Sequence, residues 1–236
     1  EAKGLKVTTF HRLGLQILKK HGHLCGLRKG FSIYDQRDSL SLLTDLLGDS
    51  DEAKLVQMQI SNWKNDHQSV ESLQGSIEDE FMQTALQAYI DYKDQLLTYN
   101  ALDFDDLIFM PLQLLSTNEE VLKYWQREIR YLLVDEYQDT NLCQYELVKL
   151  LMAHKTGLTV VGDDDQSIYA WRGARPENLH KLHDDFPNLK MIKLEQNYRS
   201  TGHILNAANQ VIRINPHLSE KSLLSSLGIG DEITVD

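Results

Sequence analysis

Two carboxylates, Asp135 and Glu136, stand at the end of a short apolar run, Tyr131-Leu-Leu-Val134. Such a pair suits phosphate chemistry. One carboxylate holds a magnesium ion, largely through its waters, and the other orients or deprotonates an attacking water. The plainer alternative is a solvated strand end, or a cap for the helix that follows.

Two later clusters bear on that choice. A second apolar run ends in Gly162 and continues Asp-Asp-Asp-Gln-Ser-Ile-Tyr-Ala-Trp-Arg-Gly-Ala174. Gln166 can both donate and accept, which suits sensing a terminal phosphate beside Asp135 and Glu136. Tyr169, Trp171 and Arg172 put two aromatics and a cation just past a strand end. Aromatic rings that stack on unpaired bases contribute about 1–3 kcal/mol per base. Trp171 has an alternative as a core residue, but its polar, glycine-bounded surroundings read as a loop. The third cluster is Leu194-Glu-Gln-Asn-Tyr-Arg-Ser200. There Tyr198 can stack on a planar base, and the planar fork of Arg199 can bind a phosphate. The alternative for Arg199 is a surface helix cap.

Elements must position these clusters. An unalternating run such as 130–134 predicts a strand buried on both faces, as in a parallel sheet whose ligands bind beyond the carboxyl ends of its strands. From Ile129 onward the pattern alternates: strand 130–134, helix 141–153, strand 158–162, helix from Pro176, strand 189–194, helix 201–214. That is an α/β arrangement with a parallel sheet.

Residues 9–100 read as nearly all helix, without strands. Thr8 or Thr9 caps a first helix through residue 21, with Phe10, Leu13, Ile17 and Leu18 on one face and Phe10 and His11 at its start. A core Phe and a surface His are the alternative there. Asp35 caps a helix to Leu47. The next runs to Trp63, with Leu55, Met58 and Trp63 as packing residues. A long helix over 77–99 buries Phe81, Ala85, Ala88, Tyr89, Tyr92 and Leu96. Asp103 is an N-cap for the helix that follows, and Asn118 for the one after.

The chain has 236 residues and a net charge of −11. Residues 1–30 are net +6, and residues 31–120 net −14, with eighteen acids. An acidic total argues against coating nucleic acid by bulk charge, though not against a local groove. Cys25 and Cys143 fit no metal spacing or disulfide framework, which suits a reducing cytoplasm. No apolar run is long enough for a membrane span, and no signal-peptide pattern is present.

Taken together, Asp-Glu-Tyr-Gln-Asp at 135–139, Gly-Asp-Asp-Asp-Gln-Ser-Ile-Tyr-Ala-Trp-Arg-Gly-Ala at 162–174 and Gln-Asn-Tyr-Arg-Ser at 196–200 resemble the UvrD/Rep/PcrA family of superfamily-one DNA helicases. Thr-Phe-His at 9–11 and Leu-Asp-Phe-Asp-Asp-Leu at 102–107 are similar to two further family motifs, and the Rep-type branch is the most similar. The resemblance implies ATP and Mg2+ as cofactors, with Asp135 serving the metal, Glu136 the catalytic base and Gln166 a γ-phosphate contact. Tyr198 would stack on the nucleotide base, and Arg199 would reach the γ-phosphate. Phe10, His11, Tyr169, Trp171 and Arg172 would line a single-stranded DNA track. The implied activity is 3′ to 5′ translocation on single strands and unwinding at junctions of single- and double-stranded DNA.

The implied layout is the end of a RecA-like segment over 1–8, a helical insertion over 9–116, the rest of the first RecA-like domain over 117–196 and the start of a second over 197–236. None of the 13 glycines is followed by Lys, so the phosphate-binding loop Gly-x-x-x-x-Gly-Lys-Ser/Thr is absent from this sequence. The sequence therefore reads as an internal piece of a helicase. The sheet would lack its phosphate-loop strand, the piece would turn over ATP negligibly, and its uncovered apolar edge would favour self-association. Two other readings compete. A metal nuclease would use Asp135, Asp139 and Asp163–Asp165, and a non-catalytic module would recruit a partner through the acidic lobe.

Overall fold

The computed structural model of the chain describes residues 4–152, 157–214 and 222–234. Local sequence sets the helix starts. Helix α1 (Phe10–His21) begins where the Thr9 side chain accepts from the Arg12 amide. After strand β1 (Ser32–Ile33), Asp35 and Asp38 form a reciprocal capping box at the start of α2 (Gln36–Leu47). Asp49 caps α3 (Ser50–Asn65), Ser69 caps the short α4 (Val70–Leu73) and Asp79 caps α5 (Glu80–Thr98).

These helices share one core, in which Leu43, Val56, Ile60, Trp63, Ala85, Tyr89, Tyr92 and Leu96 are buried. Two details differ from the sequence reading. Leu55 and Met58 are exposed, because α3 buries the stripe Ala53, Val56, Ile60 and Trp63, and the other two lie off it. The lobe also contains a ladder. Strand β1 pairs in parallel with β2 (Ala101–Leu102), and two residues per strand are too few to show alternation.

A second core joins α1 to α6 (Asp106–Thr117), α7 (Glu119–Glu128) and α8 (Leu142–Leu151) around Ile17, Leu112, Trp125 and Leu147. Here α1 and α6 cross at very close range. Pro111 lies inside α6 and has no N–H, so the carbonyl of Leu107, four residues earlier, has no helical donor. Gly14 packs on that carbonyl, and a Cβ built at position 14 would lie 1.6 Å from its oxygen. Only glycine permits this crossing.

Strand β3 (Tyr131–Val134) pairs in parallel with β4 (Gly157–Val160), in the register Tyr131 to Gly157 through Val134 to Val160. Helix α8 lies between them in sequence. Val134 packs with Tyr137, Tyr145, Val148 and Leu182, the last from α9 (Glu177–Asp185). The expectation of burial on both faces is not met. Tyr131 is 86% and Leu133 68% exposed, because the helices cover one face of the ladder only.

The expected strand over 189–194 is also absent. An apolar run becomes a strand only beside a ladder partner, and residues 190–194 pair with no strand among the described residues. The strand falls later, at β5 (Gln196–Asn197), which pairs in parallel with β6 (Leu224–Ser225) and is followed in the chain by α10 (Gly202–Ile212). Helix α8 stops at Leu151, and residue 153 of the expected helix lies outside the described residues. The outcome is a helix-rich α/β chain. Among the described residues its strands form three two-stranded parallel ladders rather than one sheet. No helix among these residues is long and apolar enough to cross a membrane.

Candidate functional site

Asp135 and Glu136 follow β3 directly, and both are exposed. Glu136 has a left-handed backbone, φ +50°, which a non-glycine residue adopts at a cost of roughly 1–3 kcal/mol. Its surroundings hold it there. The Glu136 amide donates to Asp135 Oδ1 (3.0 Å), the Asp139 amide donates to the Glu136 carbonyl (3.0 Å), and the Tyr137 amide donates to the carbonyl of Val161 beyond β4 (2.9 Å). The two strand ends are thereby joined.

Gln138 completes the connection and was not singled out from sequence. It is 1% exposed. Its Nε2 donates to Glu136 Oε2 (2.7 Å), and its Oε1 accepts from the Asp163 amide (3.0 Å). The only sequence signal for it was a glutamine two residues past the carboxylate pair. Gly162 makes room, since a Cβ there would lie 2.8 Å from Gln138 Oε1. Gln166 does not reach Glu136 directly. Its Nε2 donates to Asp163 Oδ2 (2.6 Å), so the path from Gln166 to Glu136 runs through Asp163 and Gln138.

Carboxylate oxygens are hard donors of the kind magnesium takes. Asp139 Oδ1 is buried without a hydrogen-bond partner among the described residues, and burial followed by the charge of Glu136 pushes its carboxyl pKa up. A nearby cation would relieve both. The ligand atoms of Asp163, Asp164 and Asp165 lie within 4.8 Å of one another.

The aromatic loop stands beyond β4. Residues Ala170–Arg172 form a single 3₁₀ turn, closed by Gly173 in the left-handed region at φ +81°. Trp171 is 73% exposed, as its polar, glycine-bounded setting predicted, and Tyr169 is also exposed. The Arg172 side chain lies outside what the structure describes. The loop is pinned to the helical lobe at its far end, where Arg175 pairs with Asp66 at the end of α3 (2.6 Å); beside it Asn141, the cap of α8, donates from Nδ2 to Asn65 Oδ1. Behind it, the fully buried Asn178 donates to the carbonyls of Thr140 (3.0 Å) and Asn141 (3.2 Å), which fixes α9 against the segment after Glu136.

At the start of α1, Phe10 and His11 are half-buried. His11 stacks on Phe104, with centroids 4.0 Å apart and planes at 26°. Burial lowers the His11 pKa, so the imidazole is neutral at pH 7. Phe104 is exposed, and in sequence it stands as a single aromatic among Asp103, Asp105 and Asp106, a pattern that signals a helix cap and not a surface ring.

Beneath Phe104 lies a buried ion cluster. Lys64 Nζ from α3 sits 2.6 Å from Asp103 Oδ2 and 2.8 Å from Asp106 Oδ1, and Tyr92 donates to Asp103 Oδ2 (3.1 Å). The N-cap position of α6 falls at Asp105, whose side chain makes no capping bond, while the expected cap Asp103 accepts from the Asp106 amide (2.9 Å) two residues upstream of it. Burial opposes the charge on Lys64, but the two aspartates outweigh it and hold the pKa well above the ordinary lysine range. Burial, then the charge of Asp103, pushes Asp106 up to about 7. Cys143 donates to the Lys64 carbonyl (2.8 Å), and burial raises its thiol pKa to about 12, so it is no nucleophile.

Tyr198 and Arg199 are exposed after β5. Asn197 Oδ1 accepts from the amides of both Arg199 and Ser200 (2.8 Å each), which sets the turn but leaves both side chains outward of any bond among the described residues.

Residues 1–187 match the model for the UvrD/REP helicase N-terminal domain. The chain belongs to the UvrD/REP helicase family. It is 54% identical over its whole length to the ATP-dependent DNA helicase Rep of Escherichia coli K12, and 51% identical to that of Salmonella typhimurium. It is 41% identical over 99% of its length to the ATP-dependent DNA helicase PcrA of Staphylococcus epidermidis. The chain spans about a third of the length of these relatives, covering 36% of the two Rep proteins and 33% of PcrA. In this UvrD/REP chain, the structure links Asp135, Glu136 and Gln166 through Gln138 and Asp163, and sets Trp171 and Tyr169 on the loop that follows.

Proposed function

We propose that this chain supplies the water-activating and strand-gripping parts of an ATP-dependent DNA motor that moves 3′ to 5′ on single strands and opens duplex at junctions. The observation that carries the proposal is the Gln138 bridge. It ties the strained Glu136 to Asp163, and so to Gln166, at the root of the aromatic loop.

In this reading Glu136 orients and deprotonates the attacking water. Its enforced backbone fixes the carboxylate before substrate arrives, so no reorganisation is needed at the moment of reaction. Asp135 holds the magnesium ion, which when bound neutralises charge on the phosphates. Gln166 contacts the terminal phosphate, and any shift of its position passes through Asp163 to the loop bearing Tyr169 and Trp171. Those rings, with Phe10, His11 and Phe104 at the start of the helical lobe, stack on or flank unpaired bases, and Arg172 adds a cation to the track. His11, stacked on Phe104, offers a ring face and one N–H donor to the strand. Tyr198 stacks on the nucleotide base. Arg199 stabilises the transferring phosphoryl group, a role that contributes roughly 10³–10⁵ in rate.

The division at about residues 9–116, 117–196 and 197–236 is part of the same proposal, as is a RecA-like identity for the β3–β4 ladder. Without a Gly-Lys-Ser/Thr loop in its sequence, this chain alone hydrolyses ATP negligibly. Its uncovered face at Tyr131 and Leu133 favours self-association.

The test is oligonucleotide affinity by fluorescence anisotropy across a salt series, for the chain and for Trp171→Ala. The expected result is a loss of about 1–3 kcal/mol on substitution with an unchanged salt slope, since a stacking ring releases no counterions. Equal binding by both proteins refutes the track. Magnesium-dependent cleavage of the oligonucleotide would point to a nuclease instead.

A further inference from the structure

Apart from Trp171, the residues that line the cleft between α3 and the aromatic loop have no part in the chemistry above. Gln59, Asn62 and Asn65 line one wall, and Trp171, Gly173 and Arg175 the other. Asn65 is already engaged, donating to the Ser61 carbonyl (2.8 Å) and accepting from Asn141. Gln59 and Asn62 are different. Neither side-chain amide makes a hydrogen bond among the described residues, although Gln59 is half-buried.

Two more observations concern the same face. Leu55, Met58, Gln59 and Asn62 follow helical spacing, so they share one side of α3, and Leu55 and Met58 are exposed on it. The stretch 55–65 also contains no acidic residue, within a region, 31–120, that holds eighteen. The one carboxylate that lines the cleft, Asp66, is paired with Arg175 (2.6 Å), so this face, next to an exposed tryptophan, repels a polyanion less than the rest of the acidic lobe does.

Free carboxamides beside a stacking ring are chemically suited to a nucleobase. Each offers a donor and an acceptor in one plane, which matches the edge of an unpaired base, and neither carries a charge to bind phosphate. We propose that this cleft is a nucleobase subsite: Gln59 and Asn62 hydrogen-bond the edge of a base adjacent to the one stacked on Trp171, and the single strand continues over Met58 and Leu55. The proposal rests on the assignment of Trp171 to a single-strand track, and its ligand is single-stranded nucleic acid.

The test compares three forms of the full chain: unsubstituted, the double substitution Gln59→Ala with Asn62→Ala, and Trp171→Ala. Each is titrated with a labelled oligothymidylate and with an abasic oligonucleotide of the same length. The double variant is expected to bind oligothymidylate roughly 3- to 10-fold more weakly, the range for losing one or two neutral hydrogen bonds, and to bind the abasic strand as the unsubstituted chain does. Asn62→Asp, which places a carboxylate on the face, should weaken binding to both strands. Far-UV circular dichroism checks folding, and neither amide makes a side-chain hydrogen bond among the described residues.

If Trp171→Ala weakens binding but the double variant does not, the subsite is wrong and the track stands. If the double variant weakens both strands equally, these residues meet the backbone rather than a base, and the proposal is overturned. If neither substitution matters, or no form binds, the track itself fails and the subsite with it.

Discussion

Replacing Gly14 with Ala tests the packing that sets α1, and with it Phe10 and His11, against the rest of the site. On a solvent-facing helix position the exchange would stabilise by about 1 kcal/mol, because alanine loses less backbone entropy. Here the added Cβ would lie 1.6 Å from the Leu107 oxygen, 2.9 Å from its carbonyl carbon and 3.2 Å from Pro111 Cγ. A relaxed C···O contact needs about 3.3 Å, so the two helices must part by about 1.5 Å or more. Neither obstacle can swing away, since one is backbone and the other a proline ring. Parting the helices also loosens Ile17, which is fully buried in the α1–α6 core. Overpacking of this kind costs typically about 1–3 kcal/mol, and the severity of the overlap places it at the upper end. Set against the propensity gain, the net expectation is a loss of about 2 kcal/mol, seen in urea unfolding followed by circular dichroism as a midpoint lower by roughly 1 M. Oligonucleotide affinity should fall as well. An unchanged or higher midpoint would refute the close crossing, because the expected sign is opposite to that of an unobstructed helix.

Other outcomes follow from the buried groups. Lys64→Met leaves Asp103 and Asp106 buried without their cation and should cost about 3–5 kcal/mol in chemical denaturation, with a smaller penalty at acid pH where the carboxylates take up protons. Asp106, with a folded pKa of about 7 above the ordinary carboxylate value, contributes stability that is complete below about pH 4 and fades as pH rises through about 7. Stability should therefore decline between about pH 4 and 7, and Asp106→Asn should flatten that slope; an identical slope in the variant would assign the proton elsewhere. Gln138→Leu removes the bonds to Glu136 and to the Asp163 amide and should cost about 1–3 kcal/mol, with faster hydrogen exchange at the Asp163 amide.

What was legible in the sequence was local. Thr9, Asp35 and Asn118 cap the helices assigned to them, because a cap is decided by the few residues around it. The exposure of Trp171 was legible for the same reason, from its polar neighbours and the glycine that follows. Features that depend on distant partners were not. Residues 189–194 have strand composition but no strand beside them. Leu133 is apolar, yet nothing in the described chain covers it. Lys64 lies four residues after the buried Ile60 and so follows α3's inward stripe, but its two partners, Asp103 and Asp106, are about 40 residues away in sequence. Gln138 joins two strand ends whose proximity depends on the β3–β4 register. Leu55 and Met58 were misassigned because α3 offers two apolar stripes and only the tertiary fold selects one.

The central claim, that the loop after β4 grips a single strand, has a direct optical test. Trp63 and Trp125 are each 5% exposed, whereas Trp171 is 73% exposed, so the long-wavelength part of the tryptophan emission comes from Trp171. On titration with oligothymidylate, stacking of a base on that ring should quench this component in step with binding measured by anisotropy, and Trp171→Ala should lack the change. Saturable binding that leaves the exposed-tryptophan emission untouched would contradict the account.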